Sequence, residues 1–280
     1  MTLWVPPVGF MSRETNMTTP SAAWGTLVTA GGSSHAKNTT YAQIIASTAF
    51  DAYGILIMFS AVNSAGNATS MLVDIAIGAA ASETVIIPNL NAGYANVISA
   101  SGGDVPGQQY FFPIKIPAGS RLSATSQALI VSDTCRVAVW LYGDPTGPVW
   151  AGTQVVDYGT NTAASKGVDV VAGLSAAEGS WTEIVASTTQ DHAFIAAGCG
   201  GAADTTVLAA IAHLDLGIGA ATETAIVENL PFITHASEGI VYPTPHYAQH
   251  LVASGTRLAA RISIDNASAQ SYDCIMYGVS

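Results

Sequence analysis

The 280-residue chain is 49% hydrophobic and only 10% charged, where an average globular protein carries about 25% charged residues. Its net charge is −11, and its eight Lys and Arg (Arg13, Lys37, Lys115, Arg121, Arg136, Lys166, Arg257 and Arg261) are never adjacent. The clustered cations that grip a phosphate backbone are missing, so no nucleic-acid partner is expected. Ala, Gly, Ser and Thr fill the deficit, and a surface of small neutral residues can close on neighbouring subunits without burying many ions.

Residues 1–23 are polar, hold Pro6, Pro7 and Pro20, and read as an N-terminal arm that docks onto a neighbouring subunit. They show neither the basic start nor the apolar run of a secretion signal. Strand runs are then predicted at Gly54–Phe59, Met71–Ile77, Thr84–Ile87, Tyr110–Ile116 and Arg136–Tyr142. In the last, alternation puts Val137, Val139 and Leu141 on one face. The chain carries no charge from Ala52 to Val73, but Asn63-Ser64-Ala65-Gly66-Asn67 is a turn cluster that breaks this span into two strands. A membrane helix, and hence a membrane partner, is not expected. Pro145 and Pro148 stiffen a short linker at 145–149. Beyond it, strands are predicted at Phe194–Ala197, Thr206–Ile211, Ala225–Val227 and Arg257–Ile264, the last with Leu258, Ala260, Ile262 and Ile264 inward and both arginines outward. The Ala-rich stretch 205–212 could be helical by propensity, but its counterpart in the first half is not, which favours strand.

The two halves are copies. Leu72-Val73-Asp74-Ile75-Ala76-Ile77-Gly78-Ala79-Ala80 matches His213-Leu214-Asp215-Leu216-Gly217-Ile218-Gly219-Ala220-Ala221. Tyr41–Thr48 matches Trp181–Thr188, Glu83-Thr84 matches Glu223-Thr224, and Asn89-Leu90 matches Asn229-Leu230. Ala118-Gly119-Ser120-Arg121-Leu122 matches Ser254-Gly255-Thr256-Arg257-Leu258, and Trp140–Gly143 matches Ile275–Gly278. The blocks keep their order while the spacing drifts, as it does when loops absorb insertions. The expected organisation is an all-β chain: an arm at 1–23, a first β-sandwich at 24–144, a linker at 145–149 and a second β-sandwich at 150–280. Each copy has seven to nine strands and a jelly-roll-like form. Trp150-Ala151-Gly152-Thr153 resembles the opening Trp24-Gly25-Thr26.

The charges kept in both copies are Asp74/Asp215, Glu83/Glu223 and Arg121/Arg257. They could form an acid–acid–base site, but framework roles are preferred: Glu83 pairing with Arg121, Glu223 with Arg257, and each Asp accepting backbone hydrogen bonds at a turn. Gly78 and Gly219 read as turn glycines with positive φ, since no phosphate-loop lysine accompanies them. His246 and His250 have a zinc-like spacing on a helix, but Pro243 and Pro245 oppose a helix and no further ligand stands near. Three cysteines, Cys135, Cys199 and Cys274, are too few for a disulfide framework and read as buried thiols. The sequence contains no Gly-x-Ser-x-Gly elbow. Neither catalytic residues nor cofactor or metal ligands are assigned. Tyr53, Tyr94, Tyr110, Phe111, Phe112 and Trp140 could stack on a sugar, but core or interface roles suit most of them better. The Asn-x-Ser/Thr triplets at Asn16, Asn38, Asn67 and Asn266 are expected by chance in a Ser/Thr-rich chain.

Tyr53-Gly54-Ile55, the run Leu72–Thr84 and the run Phe112–Leu122 resemble virion structural proteins of tailed bacteriophages. The resemblance extends over both copies, with Ala253-Ser254-Gly255 in the second replacing Pro117-Ala118-Gly119. It implies a non-enzymatic accessory protein of the virion surface (head decoration, head or collar fibre, or tail-attached). Such a protein would assemble with itself and with capsid, collar or tail proteins. A receptor- or glycan-binding module of a tail or fibre, meeting a host-surface glycan, is the alternative.

Overall fold

A computed structural model describes residues 10–17, 24–60, 62, 69–95, 106–145, 150–201, 208–219, 222–235, 239–241 and 247–280. Among these residues the regular structure is entirely strand, and no helix is long and apolar enough to cross a membrane. The uncharged span forms two strands, β4 (Ala52–Ser60) and β5 (Thr69–Ile77); the turn cluster between them lies outside the described residues.

The first copy contains β2 (Thr26–Thr29), β3 (Ala42–Ile45), β4, β5, β6 (Thr84–Ala95), β7 (Pro106–Phe112), β8 (Leu122–Ala128) and β9 (Thr134–Pro145). One sheet runs β2-β9-β4-β7 and the other β3-β8-β5-β6. Numbered from first to eighth, these strands interleave as 1-8-3-6 and 2-7-4-5, the double Greek key of a jelly roll. The second copy repeats the order. One sheet runs β11 (Val168–Val171), β19 (Ser271–Val279), β13 (Phe194–Gly201), β17 (Tyr247–Ala248). The other runs β12 (Thr182–Val185), β18 (Leu258–Ile264), β14 (Ala210–Ile218), β15 (Thr224–His235), β16 (Gly239–Val241). Both sandwiches are therefore jelly rolls.

Part of the arm belongs to the first roll. Strand β1 (Phe10–Thr15) pairs antiparallel with β9, Arg13 opposite Tyr142. In the second roll β10 (Val155–Tyr158) pairs with β19, Asp157 opposite Tyr277. Tyr142 and Tyr277 are equivalent in the repeat, so β1 and β10 hold equivalent seats, and β2 corresponds to β11. The match of Trp24 with Trp150 thus joins segments in different seats. Between β1 and β2 the edge of β9 has a gap, which the Asn16 side chain closes. Its amide donates to Val137 O (2.9 Å) and Thr26 Oγ1 (3.0 Å), and its carbonyl accepts the Val139 N–H (2.9 Å). Ala49 N–H also donates to Glu14 (2.8 Å). The described part of the arm is occupied by its own chain.

The rolls share an apolar interface. On β19, Tyr272, Cys274 and Met276 face the core of the second roll, while Ile275, Tyr277 and Val279 join Phe194 and Ala196 in the core cluster of the first. Alternation along one strand thus serves two cores, and no side of it remains for solvent. Tyr110 of β7 packs edge-on against Tyr277, centroids 5.5 Å apart. The Tyr277 hydroxyl accepts the Asn91 N–H (2.9 Å) and donates to Asn89 O (3.0 Å). Gly198 is required here: a Cβ would lie 1.9 Å from the Tyr110 hydroxyl oxygen. The loop after β10 also reaches the first roll, where Gln127 donates to Thr162 O (2.6 Å) and Ser165 Oγ (3.0 Å).

Candidate functional site

The recurrent charges resolve into a framework repeated twice. Asp74 and Asp215 are buried on the fourth strand of each roll. Opposite each, the fifth strand bulges, and an asparagine takes positive φ, Asn89 at 49° and Asn229 at 57°. Asparagine tolerates that conformation better than most residues. The Asn N–H thrown out of the ladder donates to the aspartate: Asn89 to Asp74 at 2.8 Å, Asn229 to Asp215 at 2.7 Å. The aspartate accepts a backbone hydrogen bond as expected, at a bulge rather than a turn.

Each aspartate also holds a cation, but from different elements. Lys37, before β3, reaches Asp74 at 2.5 Å, whereas Arg261 of β18 reaches Asp215 at 2.7 Å. Arg261 lies 4.6 Å over the Trp181 ring, which helps to hold its guanidinium there. The second acid follows the expected pairing. Arg121 meets Glu83 at 2.8 Å, and Arg257 meets Glu223 and, at 2.7 Å, Glu183. Burial raises the pKa of Glu83, but hydrogen bonds from Arg121 and from backbone, with the arginine charge, outweigh it and hold the carboxyl below its ordinary value. Gly78 and Gly219 have φ of 125° and 130°, as the turn reading required.

One recurrent acid was missed. Thr48 and Thr188 clamp the loop before the seventh strand, donating to Pro117 O and Ala253 O, both at 2.8 Å. Three residues on, Asp51 and Asp191 accept the N–H groups of Ala118 and Ser254, both at 2.7 Å. The signal was legible as Thr-x-x-Asp, three residues past the end of the aligned block.

The remaining candidates scatter. His246 lies outside the described residues, so the His246/His250 spacing has only one described member. Among the described residues no three His, Cys, Asp or Glu gather as a metal set. Tyr110, Phe111 and Phe112 are buried, Tyr53 and Trp140 are half-buried, and the Tyr94 side chain lies outside the described residues. The side-chain amides of Asn16, Asn38 and Asn266 are engaged by the fold, donating to backbone carbonyls; Asn67 lies outside the described residues. Cys135, Cys199 and Cys274 are buried thiols, and burial pushes Cys135 up to about 12.

A concave surface does occur on the second roll. A groove of about 480 Å³ is lined by Trp150, Asp191, His192, Leu251, Val252 and Ser280 among others. Trp150 is 45% exposed and Leu251 81% exposed. His192 forms the floor, only 2% exposed, its Nε2 2.6 Å from the Tyr158 hydroxyl and its ring flat against Gly278. Burial lowers the His192 pKa, and the nearby Asp191 opposes that shift.

The class the fold defines is a tandem jelly-roll protein with fused sandwiches. No protein-family model matches the chain, and no curated protein matches it. Among solved structures it is similar to PNGF-II, at TM-score 0.35 and 8% identity over 86% of this chain and 59% of that one. The chain therefore spans about three-fifths of the length of PNGF-II. It is also similar to the major capsid protein P2 of bacteriophage PM2, at TM-score 0.31 and 8% identity over 96% and 98% of the two chains. A third is PNGase F, a glycosylasparaginase from Flavobacterium meningosepticum, at TM-score 0.29 and 8% identity over 96% and 89%. A capsid protein and an enzyme stand side by side here, and likeness this distant leaves their activities with them.

Proposed function

We propose that this chain is a non-enzymatic structural component of a tailed-phage virion, an accessory protein of the particle surface. The observation that carries this reading is the use made of its charges. In a chain with 10% charged residues, the acids and arginines kept in both rolls are spent on bulges, loop clamps and strand-end ion pairs. Two jelly rolls fused through a buried face make a stiff building block. Exposed apolar side chains such as Ile211 and Ile233, opposite each other on β14 and β15, offer surface for subunit packing. Peptide mass spectrometry of purified particles, from a phage whose genome encodes the chain, should find it in stoichiometric amounts. Mass photometry of the isolated protein should find a homo-oligomer that I211S/I233S weakens. Absence from particles together with a monomer at every concentration overturns the proposal.

The groove supports a second reading, a glycan-binding module, because an exposed Trp beside polar groups can stack on a sugar ring. Trp150→Ala should then abolish retention on a host-surface glycan array while leaving the melting temperature unchanged. No retention of the parent protein removes this reading.

A further inference from the structure

We propose that Cys199 and Cys274 form a cross-strand disulfide site in the second roll, closed by a small-molecule disulfide. The two residues are direct partners in the antiparallel pairing of β13 with β19. Directly opposed antiparallel residues have Cα atoms about 4.5–5.5 Å apart, within the roughly 4.4–6.8 Å that a disulfide spans. The sulfurs already face each other at 2.9 Å. Register thus places the backbones, and the rotamers place the sulfurs. Cys135, on β9 in the other roll, lies opposite Val28 and not opposite another cysteine.

The site has a position that matters. β13 and β19 are the strands whose other face, through Phe194, Ala196, Ile275, Tyr277 and Val279, packs into the first roll. Gln108 of the first roll also donates to the Cys199 carbonyl. A bond here encloses β14–β18 in one covalent loop and constrains the unfolded chain. One thiolate attacks glutathione disulfide, forming a mixed disulfide and releasing one glutathione thiolate. The second thiolate then attacks the protein sulfur of that adduct and releases the other. Two protein thiols lose two protons and two electrons, and glutathione disulfide leaves as two reduced glutathiones. Both thiols are buried, and burial raises the Cys274 pKa well above its ordinary value, so in the folded protein attack is slow. Closure belongs to folding or to opening of this sheet.

The full chain, unfolded in guanidinium, is refolded with glutathione and glutathione disulfide, then denatured and alkylated. The expected result is one free thiol, Cys135, and a linked peptide pair containing Cys199 and Cys274. The melting temperature should exceed that of the fully reduced protein by roughly 5–15 °C. C135S should form the same link. C199S should leave Cys274 free or carrying glutathione. Three free thiols, or glutathione adducts with no linked pair, overturn the proposal. Should C199S fail to fold, the thiol count and linked peptide of the parent protein still decide it.

Discussion

At the scale of single residues, two buried groups show how a polar side chain becomes a stability determinant. Asp215 accepts the Asn229 N–H and faces Arg261, and it is 2% exposed. Asp215→Asn keeps the volume but removes the charge that Arg261 answers, and it can turn an amide donor toward the bulge N–H. Because Arg261 is partly solvated, the cost falls below that of a fully buried pair, at about 2–3 kcal/mol. A urea titration should show the midpoint falling with the slope unchanged. Asp74→Asn should behave alike, since Lys37 occupies the same role from another element.

His192 gives a pH dependence with a definite sign. In the unfolded chain its imidazole titrates near 6.5, while burial holds the folded value lower. Above about 6.5 both states are neutral and the residue contributes its full stability. As pH falls toward the folded value, the unfolded chain takes the proton first, and stability is lost. The melting temperature should therefore drop more steeply from pH 7.5 to 5.5 in the parent protein than in His192→Gln, whose amide keeps a non-titrating hydrogen-bonding partner for the Tyr158 hydroxyl. Parallel curves for the two proteins would assign the acid sensitivity elsewhere.

At the scale of elements, the arm strand is held by a side chain acting as backbone. The β1 register ends at Trp140 and the β2 register at Val137, so Asn16 accepts the Val139 N–H that lies between them and also donates to Val137 O. Asn16→Ala leaves the buried Val139 N–H unpaired, at about 1–3 kcal/mol. Amide exchange at Val139 should accelerate by roughly ten- to a hundredfold, with little change at Ile57 on the far side of the strand.

The same scale shows why some of the fold could be read from sequence and some could not. β5, β9 and β18 were legible because apolar alternation is a local property, and the duplication supplied a second reading of each. β6 runs to Ala95 where only Thr84–Ile87 was expected, because Pro88 and Asn89 look like a strand end. The pairing of Asn89 with Asp74 carries the strand through a bulge instead, and that bond spans two strands. The seat of residues 10–15 within the arm was not legible for the same reason. Phe10–Thr15 has no apolar periodicity, and its seat is set by its partner, β9. The cysteine pair was invisible because Cys199 and Cys274 meet only once β13 and β19 are in register.

At the scale of the whole molecule, duplication was followed by division of labour. The first roll keeps its bulge asparagine for the junction: Asn89 Nδ2 donates to Asp157 (2.9 Å), and Asn89 O accepts from Tyr277. In the second roll Asn229 is exposed. The faces of β19 tell the same story, since its equivalent β9 keeps half-exposed Trp140 and Tyr142 where β19 has fully buried Ile275 and Tyr277. The rolls should then unfold together. A chain of residues 150–280 alone would present Phe194, Ala196, Ile275, Tyr277 and Val279 to water, an apolar face too large for a soluble monomer. We expect it to bind a hydrophobic dye or to aggregate, and to become soluble when co-expressed with residues 1–145. In the intact chain, Gly198→Ala drives a methyl group into the Tyr110 hydroxyl and should split the single calorimetric transition into two. Independent, soluble halves with unshifted melting temperatures would mean that the shared face contributes little, and that each roll is stable on its own core.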